Sequence, residues 1–175
     1  GLYRAATIAT GPLAGIVLRR RASQGKEDSS RLAERFGRPS ALRPPGPLVW
    51  IHAASVGESL SVLPLVDRLL GALPTGNVLL TTGTLSSAQL LPERLPERAF
   101  HQFVPIDRPD AVRSFLDYWK PDIAIWVESE LWPNLLRATQ LRRVPTILVQ
   151  GRMSERSHRY WRWARGLISP ILKDF

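Results

Sequence analysis

From residue 48 onward, short unbroken apolar runs alternate with longer segments whose apolar residues recur every three or four positions. The runs are Leu48–Ala53 (LVWIHA), Asn77–Thr82 (NVLLTT), His101–Ile106, Asp122–Glu128 (DIAIWVE) and Thr146–Val149 (TILV). Their length and β-branched content predict strands. Between them, Ser59–Leu70 places Leu60, Leu63, Val66, Leu69 and Leu70 at helical spacing. Leu85–Leu91, Pro109–Trp119 and Pro133–Arg143 also read as helices, the last two opened by a proline that suits a first turn. Strands that are apolar throughout, separated by helices, predict an α/β fold: a Rossmann-like parallel sheet with helices on both faces. No internal repeat or low-complexity stretch interrupts this pattern.

Upstream the pattern changes. Ala5–Leu18 (AATIATGPLAGIVL) is weakly apolar and is followed by Arg19, Arg20 and Arg21. Fourteen helical residues reach ~21 Å, short of a ~30 Å hydrocarbon core. Gly11, Pro12 and Gly15 weaken the run further as a helix. Arginines directly after an apolar stretch match the cytoplasmic side of a membrane and predict membrane contact. The alternative is a frayed amphipathic helix packed on the domain. A cleaved signal peptide fits less well, because its basic residues would come first. The proline-rich stretch 39–47 reads as a linker. It divides a basic, membrane-proximal arm (1–43) from a Rossmann-like domain (44–175).

Charge sharpens the division. The 175 residues carry a net charge of +9. Residues 19–43 hold eight basic and three acidic side chains, and residues 151–175 hold six and two. Residues 44–150 are near neutral, with nine basic and ten acidic. Basic flanks around a neutral middle suit docking on an anionic surface while the middle does other work. In the second flank, Arg152, Arg156, Arg159, Arg162 and Arg165 recur at helical spacing, with Tyr160, Trp161 and Trp163 among them. Such a face suits a lipid headgroup zone or stacked bases, or it is a solvated helix whose tryptophans pack on the core. There is no cysteine, which excludes disulfides, a thiolate nucleophile and Cys-ligated metal. His52, His101 and His158 show no metal-ligand spacing. The only methionine is Met153, so the chain is expected to be a piece of a longer polypeptide.

In an open α/β sheet, ligands bind beyond the carboxyl ends of the strands. The turns there read AASVGES (53–59), TTGTLSS (81–87), PIDRPD (105–110), ESELWP (128–133) and QGRMSERS (150–157). None holds a GxGxxG or GxxxxGK[ST] loop, which argues against a nucleotide site in this domain. Glu58, Glu128 and Glu130 fall in these turns. Ser55 and Glu58 have capping-box spacing, a complete structural explanation, while a carboxylate at the sheet mouth could equally serve as a general base. Glu128 ends a very apolar strand, and Glu130 could cap the following helix. A buried pair of carboxylates has no obvious fold-building purpose, since desolvation costs several kcal/mol per ion, so function is favoured for at least one of that pair. Gly57 permits close approach of backbone to a ligand. His52, inside the first strand, is either a satisfied core residue or a ligand contact.

WIHAASVGES, WVESELWPNLL and QGRMSERS, with GLYR at the start and ERFG at 34–37, together resemble the N-terminal half of the Kdo (3-deoxy-D-manno-octulosonic acid) transferase family. The resemblance implies a GT-B glycosyltransferase of two Rossmann-like domains, of which this chain is the acceptor-binding one. It implies transfer of Kdo from CMP-Kdo, bound by an absent C-terminal domain, to the lipid A precursor (lipid IVA) with inversion. It implies no cofactor and no protein-bound metal. Glu58 becomes the catalytic base and Glu128 a helper in the transition state. Acceptor contacts are expected at Ser55, Gly57, Glu130 and Arg152. The implied location is the cytoplasmic face of the cell inner membrane, with no nucleic-acid partner. The chain alone is then expected to be inactive. The alternative is a non-catalytic, basic Rossmann-like module that binds membrane or nucleic acid.

Overall fold

A computed structural model of the protein describes residues 2–128 and 131–151, together with 166, 169, 172, 173 and 175. Five strands form one sheet: β1 (Leu48–His52), β2 (Asn77–Thr82), β3 (Ala99–Phe103), β4 (Ile123–Val127) and β5 (Thr146–Val149). Their order is β3-β2-β1-β4-β5, and every neighbouring pair is parallel. This is the α/β, Rossmann-like sheet that the unbroken apolar runs predict.

Alternation along the central strand separates two cores. Leu48 and Trp50 face α7 (Pro109–Trp119) and α8 (Pro133–Leu141), where Phe115, Trp119, Trp126 and Leu135 are all buried. Val49 and Ile51 face α5 (Leu63–Ala72) through Val66 and Leu70. The Trp50 ring lies 5.0 Å from Phe115 and 4.7 Å from Trp126. Buried indole N–H groups need acceptors. Trp50 Nε1 donates to Thr81 Oγ1 at 2.9 Å, and Trp119 Nε1 donates to Gln102 Oε1 at 3.0 Å.

Several boundaries differ from expectation, three of them for a clear local reason. The single helix predicted over 59–70 is two: α4 (Val56–Ser61), and α5 beginning one residue after Val62. Pro64 has no N–H to continue α4 and instead occupies the first turn of α5. β3 runs over 99–103 rather than 101–106 because Pro105 cannot pair, and the Ile106 amide donates to the Arg35 carbonyl. α6 (Leu85–Leu90) gives way to a short 3-10 turn at Leu91–Glu93.

The N-terminal segment is helical despite its glycines: α1 (Leu2–Ala9) and α2 (Gly11–Ser23) meet at Thr10. Pro12 lies in the first turn of α2, where a missing N–H is harmless. Gly11 sits directly over the Arg108 side chain, so a small residue there allows close packing, whereas a Cβ at Gly15 would make only an ordinary contact with Phe36. Tyr3 Oη donates to Asp107 Oδ2 at 2.8 Å, and Asn134 Nδ2 donates to Thr7 Oγ1 at 3.1 Å, tying α1 to α8. No described helix is long and apolar enough to cross a membrane.

The ERFG string fastens the arm to the sheet edge. Glu34, in the short helix α3 (Leu32–Arg35), is fully buried. It accepts from Arg31 Nε and Nη2 at 2.8 and 2.9 Å, from the Phe103 amide at 2.7 Å, and from Ser40 Oγ. Arg35 donates to Glu27 at 2.8 Å and to the Gly83 carbonyl at 2.7 Å. Both guanidinium groups stack on Phe103, at 4.9 and 4.4 Å. Gly37 has φ +74°, and a Cβ there would strike the Ala111 carbonyl of α7. The proline-rich stretch beyond is held as well. Arg43 Nε donates to the Trp119 carbonyl at 2.7 Å, and Tyr118 Oη donates to the Ala41 carbonyl at 2.9 Å.

Candidate active site

β1 leads to β2 on one side of the sheet and β4 leads to β5 on the other, so the strand order reverses between β1 and β4. Loops from these two strands part there and leave a crevice at their carboxyl ends. His52 pairs with Trp126 as the last register pair of the two strands. Glu58 follows β1 in the first turn of α4, and Glu128 immediately follows β4. Topology therefore brings to one switch point two carboxylates that lie 70 residues apart in sequence.

Glu58 builds the capping box that its spacing predicts. Ser55 is the N-cap of α4, and its Oγ accepts from the Glu58 amide at 3.4 Å. The carboxylate turns back: Oε2 accepts from the Ala54 amide at 2.7 Å and Oε1 from Ser55 Oγ at 2.8 Å. These bonds fix the side chain at the mouth, where it is half-buried. A carboxylate offers about four lone-pair positions. Among the described residues two are used, one on each oxygen, so the cap leaves room to accept a substrate hydroxyl. Gly57 is exposed, and a Cβ on it would meet nothing within 4 Å, so packing within the described residues does not require glycine there.

Glu128 holds a left-handed backbone, φ +58°, while its amide donates to the Val149 carbonyl at 3.0 Å. A non-glycine residue in this region costs on the order of 1 kcal/mol or more. Gln150, which follows β5, is also left-handed at φ +52°. Ser61 of α4 donates to Gln150 Oε1 at 3.3 Å, joining the β5 and β1 loops across the mouth. Sequence spacing gives no sign of Gln150; only the backbone angle and this bridge do. Glu130, Arg152 and the arginine–tryptophan segment lie outside the described residues.

His52 lies under the mouth and is a core residue. Burial pushes it down to about 4, so its imidazole is neutral. Nδ1 meets Thr81 Oγ1 at 3.1 Å, and the ring packs edge-on against Trp126 and Trp132. Nε2 has no hydrogen-bond partner among the described residues. A second carboxylate near the edge, Asp107, escaped notice within PIDRPD. Burial raises it, opposed by the Asn134 and Leu135 amides and the Tyr3 hydroxyl. Those amides donate at 3.0 and 2.8 Å, so Asp107 caps α8 from another loop. No group of three or more His, Asp or Glu that could hold a metal ion occurs among the described residues.

A parallel sheet of this order, flanked by helices and with carboxylates at its switch point, defines a Rossmann-like α/β domain. Residues 30–175 match the family model described as 3-deoxy-D-manno-octulosonic-acid transferase (kdotransferase), and the chain belongs to that family. It is 41% identical over 171 residues to a probable mitochondrial 3-deoxy-D-manno-octulosonic acid transferase of Arabidopsis thaliana, covering 98% of this chain and 38% of that protein. A 3-deoxy-D-manno-octulosonic acid transferase of Rickettsia bellii is 42% identical over 151 residues, covering 86% and 36%. The Haemophilus influenzae protein of that name is 38% identical over 132 residues, covering 74% and 31%. The chain thus spans less than two fifths of the length of these relatives.

Proposed function

We propose that this chain is the acceptor-binding half of an inverting, GT-B-type Kdo transferase, with Glu58 as general base. The observation that supports this most is the placement of Glu58 and Glu128 after adjacent strands at the switch point. A sugar hydroxyl is a weak nucleophile, so a fixed carboxylate must take its proton as the new glycosidic bond forms. Inversion requires that base on the face opposite the departing phosphate. The work then divides between a base here and donor binding elsewhere, and this domain needs no nucleotide loop. Glu128 helps stabilise the transition state. Ser55, Gly57, Glu130 and Arg152 contact the acceptor.

The acceptor is the lipid A precursor, the donor is CMP-Kdo held by a C-terminal domain outside this chain, and the product feeds lipopolysaccharide synthesis. Residues 1–43 form the membrane-proximal arm of a domain comprising 44–175. On α2, Leu13, Ile16 and Val17 are all more than half exposed and precede three exposed arginines. A membrane uses both features, whereas nucleic acid would leave the apolar stripe idle. This favours the cytoplasmic face of the inner membrane.

Glu58→Gln in the intact polypeptide keeps a capping oxygen and removes the base. Transfer from CMP-Kdo is expected to fall about 100-fold or more with the melting temperature nearly unchanged. Near-normal turnover would eliminate Glu58 as the base.

A further inference from the structure

Segment by segment, residues 44–150 carry no excess of positive charge, yet the fold collects arginines from them on one surface. Arg113 of α7, Arg137 of α8 and Arg142 just beyond it join Arg4 of α1 along a groove of about 870 Å³. Among the described residues no carboxylate lines it. Arg142 is paired with Asp117 at 2.6 Å, but no described ion pair engages Arg4, Arg113 or Arg137. Apart from Tyr3 and Asn134, the remaining wall carries no polar side chain among the described residues, and its two leucines are open: Leu2 is 92% exposed and Leu141 72%. The groove has firm sides, because Tyr3–Asp107 and Thr7–Asn134 fasten α1 to the start of α8.

Three guanidinium groups without an ion pair among the described residues, set around exposed leucines, suit neither a solvated ion-pair face nor a core. A ligand with an anionic head and an apolar tail satisfies both at once, and the volume is that of a small-molecule site. We infer that this groove seats one anionic phospholipid, its phosphate held by Arg4, Arg113 and Arg137 and its proximal acyl chains lying along Leu2 and Leu141. The seat lies on the α7–α8 side of the sheet, apart from α4. It stands independently of the role given to Glu58 and fails independently of it.

Dihexanoyl-phosphatidylglycerol below its micelle concentration tests a single seat without a bilayer. Titrated into the intact polypeptide, it is expected to bind saturably at one per chain. Dihexanoyl-phosphatidylcholine and inorganic phosphate should each bind about tenfold more weakly or less. Arg113→Ala/Arg137→Ala should weaken phosphatidylglycerol about tenfold, and Arg113→Lys/Arg137→Lys should restore most of it. Leu141→Asp, at an exposed position that cannot unfold the core, should weaken it comparably. Unsaturable binding, equal binding of phosphatidylcholine, phosphate as tight as the lipid, or indifference to both the alanine pair and Leu141→Asp would overturn the inference. So would a rise in acceptor KM in the alanine pair with phosphatidylglycerol binding unchanged, which would give the groove to the acceptor.

Discussion

Glu34 and Glu58 are both glutamates in short motifs, each held by several donors, and the two regions around them do different work. At the arm, Glu34 is fully buried, and the Arg31 guanidinium, the Phe103 amide and Ser40 all point at it. Its oxygens are consumed in fastening α3 to β3. At the mouth, Glu58 is half-buried, and one local donor meets each oxygen. A count of hydrogen bonds would not tell a structural bolt from the proposed base. What separates them is whether lone pairs remain where a ligand can arrive.

The largest effect that sharpens this contrast is expected at the arm. Glu34→Ala leaves buried donors without a partner and should cost about 3–5 kcal/mol, measured by urea denaturation. Glu58→Gln should hold its stability while transfer collapses. Equal stability losses in the two variants would erase the distinction.

A pH effect comes next, because each region rests on a neutral histidine. Burial, with the Arg31 and Arg35 charges adding to it, pushes His101 at the arm down to about 3. Burial alone dominates for His52 under the mouth, at about 4. Between pH 6.5 and 4 the unfolded chain binds protons that the folded one refuses. Stability is therefore fully present above pH 6.5 and falls as pH drops, by about 1.4 kcal/mol per unit for each histidine. Denaturation at pH 7, 6 and 5 measures the slope. His52→Asn should reduce it by one proton, and a flat profile would refute the assignment of either ring as neutral.

Glu128 contrasts with both glutamates through its backbone. Glu128→Gly relieves the left-handed φ and should stabilise the fold by roughly 1 kcal/mol while impairing transfer. A destabilised Glu128→Gly would show that the side chain is structural. The smallest change in stability belongs to Gly57→Ala, within about 0.5 kcal/mol, because the new methyl meets open space. If the acceptor passes over Gly57, the acceptor KM rises severalfold in this variant with kcat retained.

Much of the sheet could be read directly. Asn77–Thr82 and Thr146–Val149 are strands at their predicted bounds, and Pro109–Trp119 is a helix at its own, because each is delimited by local chemistry: turn residues, a proline in the first turn, an apolar period. Errors arose where one signal overlay another. The apolar period ran through Pro64, and the apolar run ran past Pro105. Gly11 reads as a helix breaker along the chain because only the Arg108 side chain, distant in sequence, shows that a small residue fits there. The cap from Ser55 to Glu58 was legible because its partners are three residues apart. The cap from Asp107 to α8 was not, since it spans 27 residues to Asn134 and leaves no spacing to detect.

By itself the sequence determined the alternation of strand and helix, the parallel α/β class, the capping box at Glu58 and the family to which the chain belongs. These depend on periodicities and strings set by neighbours along the chain. Only the tertiary structure decided that β4 lies beside β1, which places Glu128 with Glu58. It alone showed that Glu34 is spent on holding the arm, and that arginines from a neutral stretch share one groove. Those outcomes depend on which distant segments meet, and strand order, burial and charge proximity are properties of space rather than of spacing.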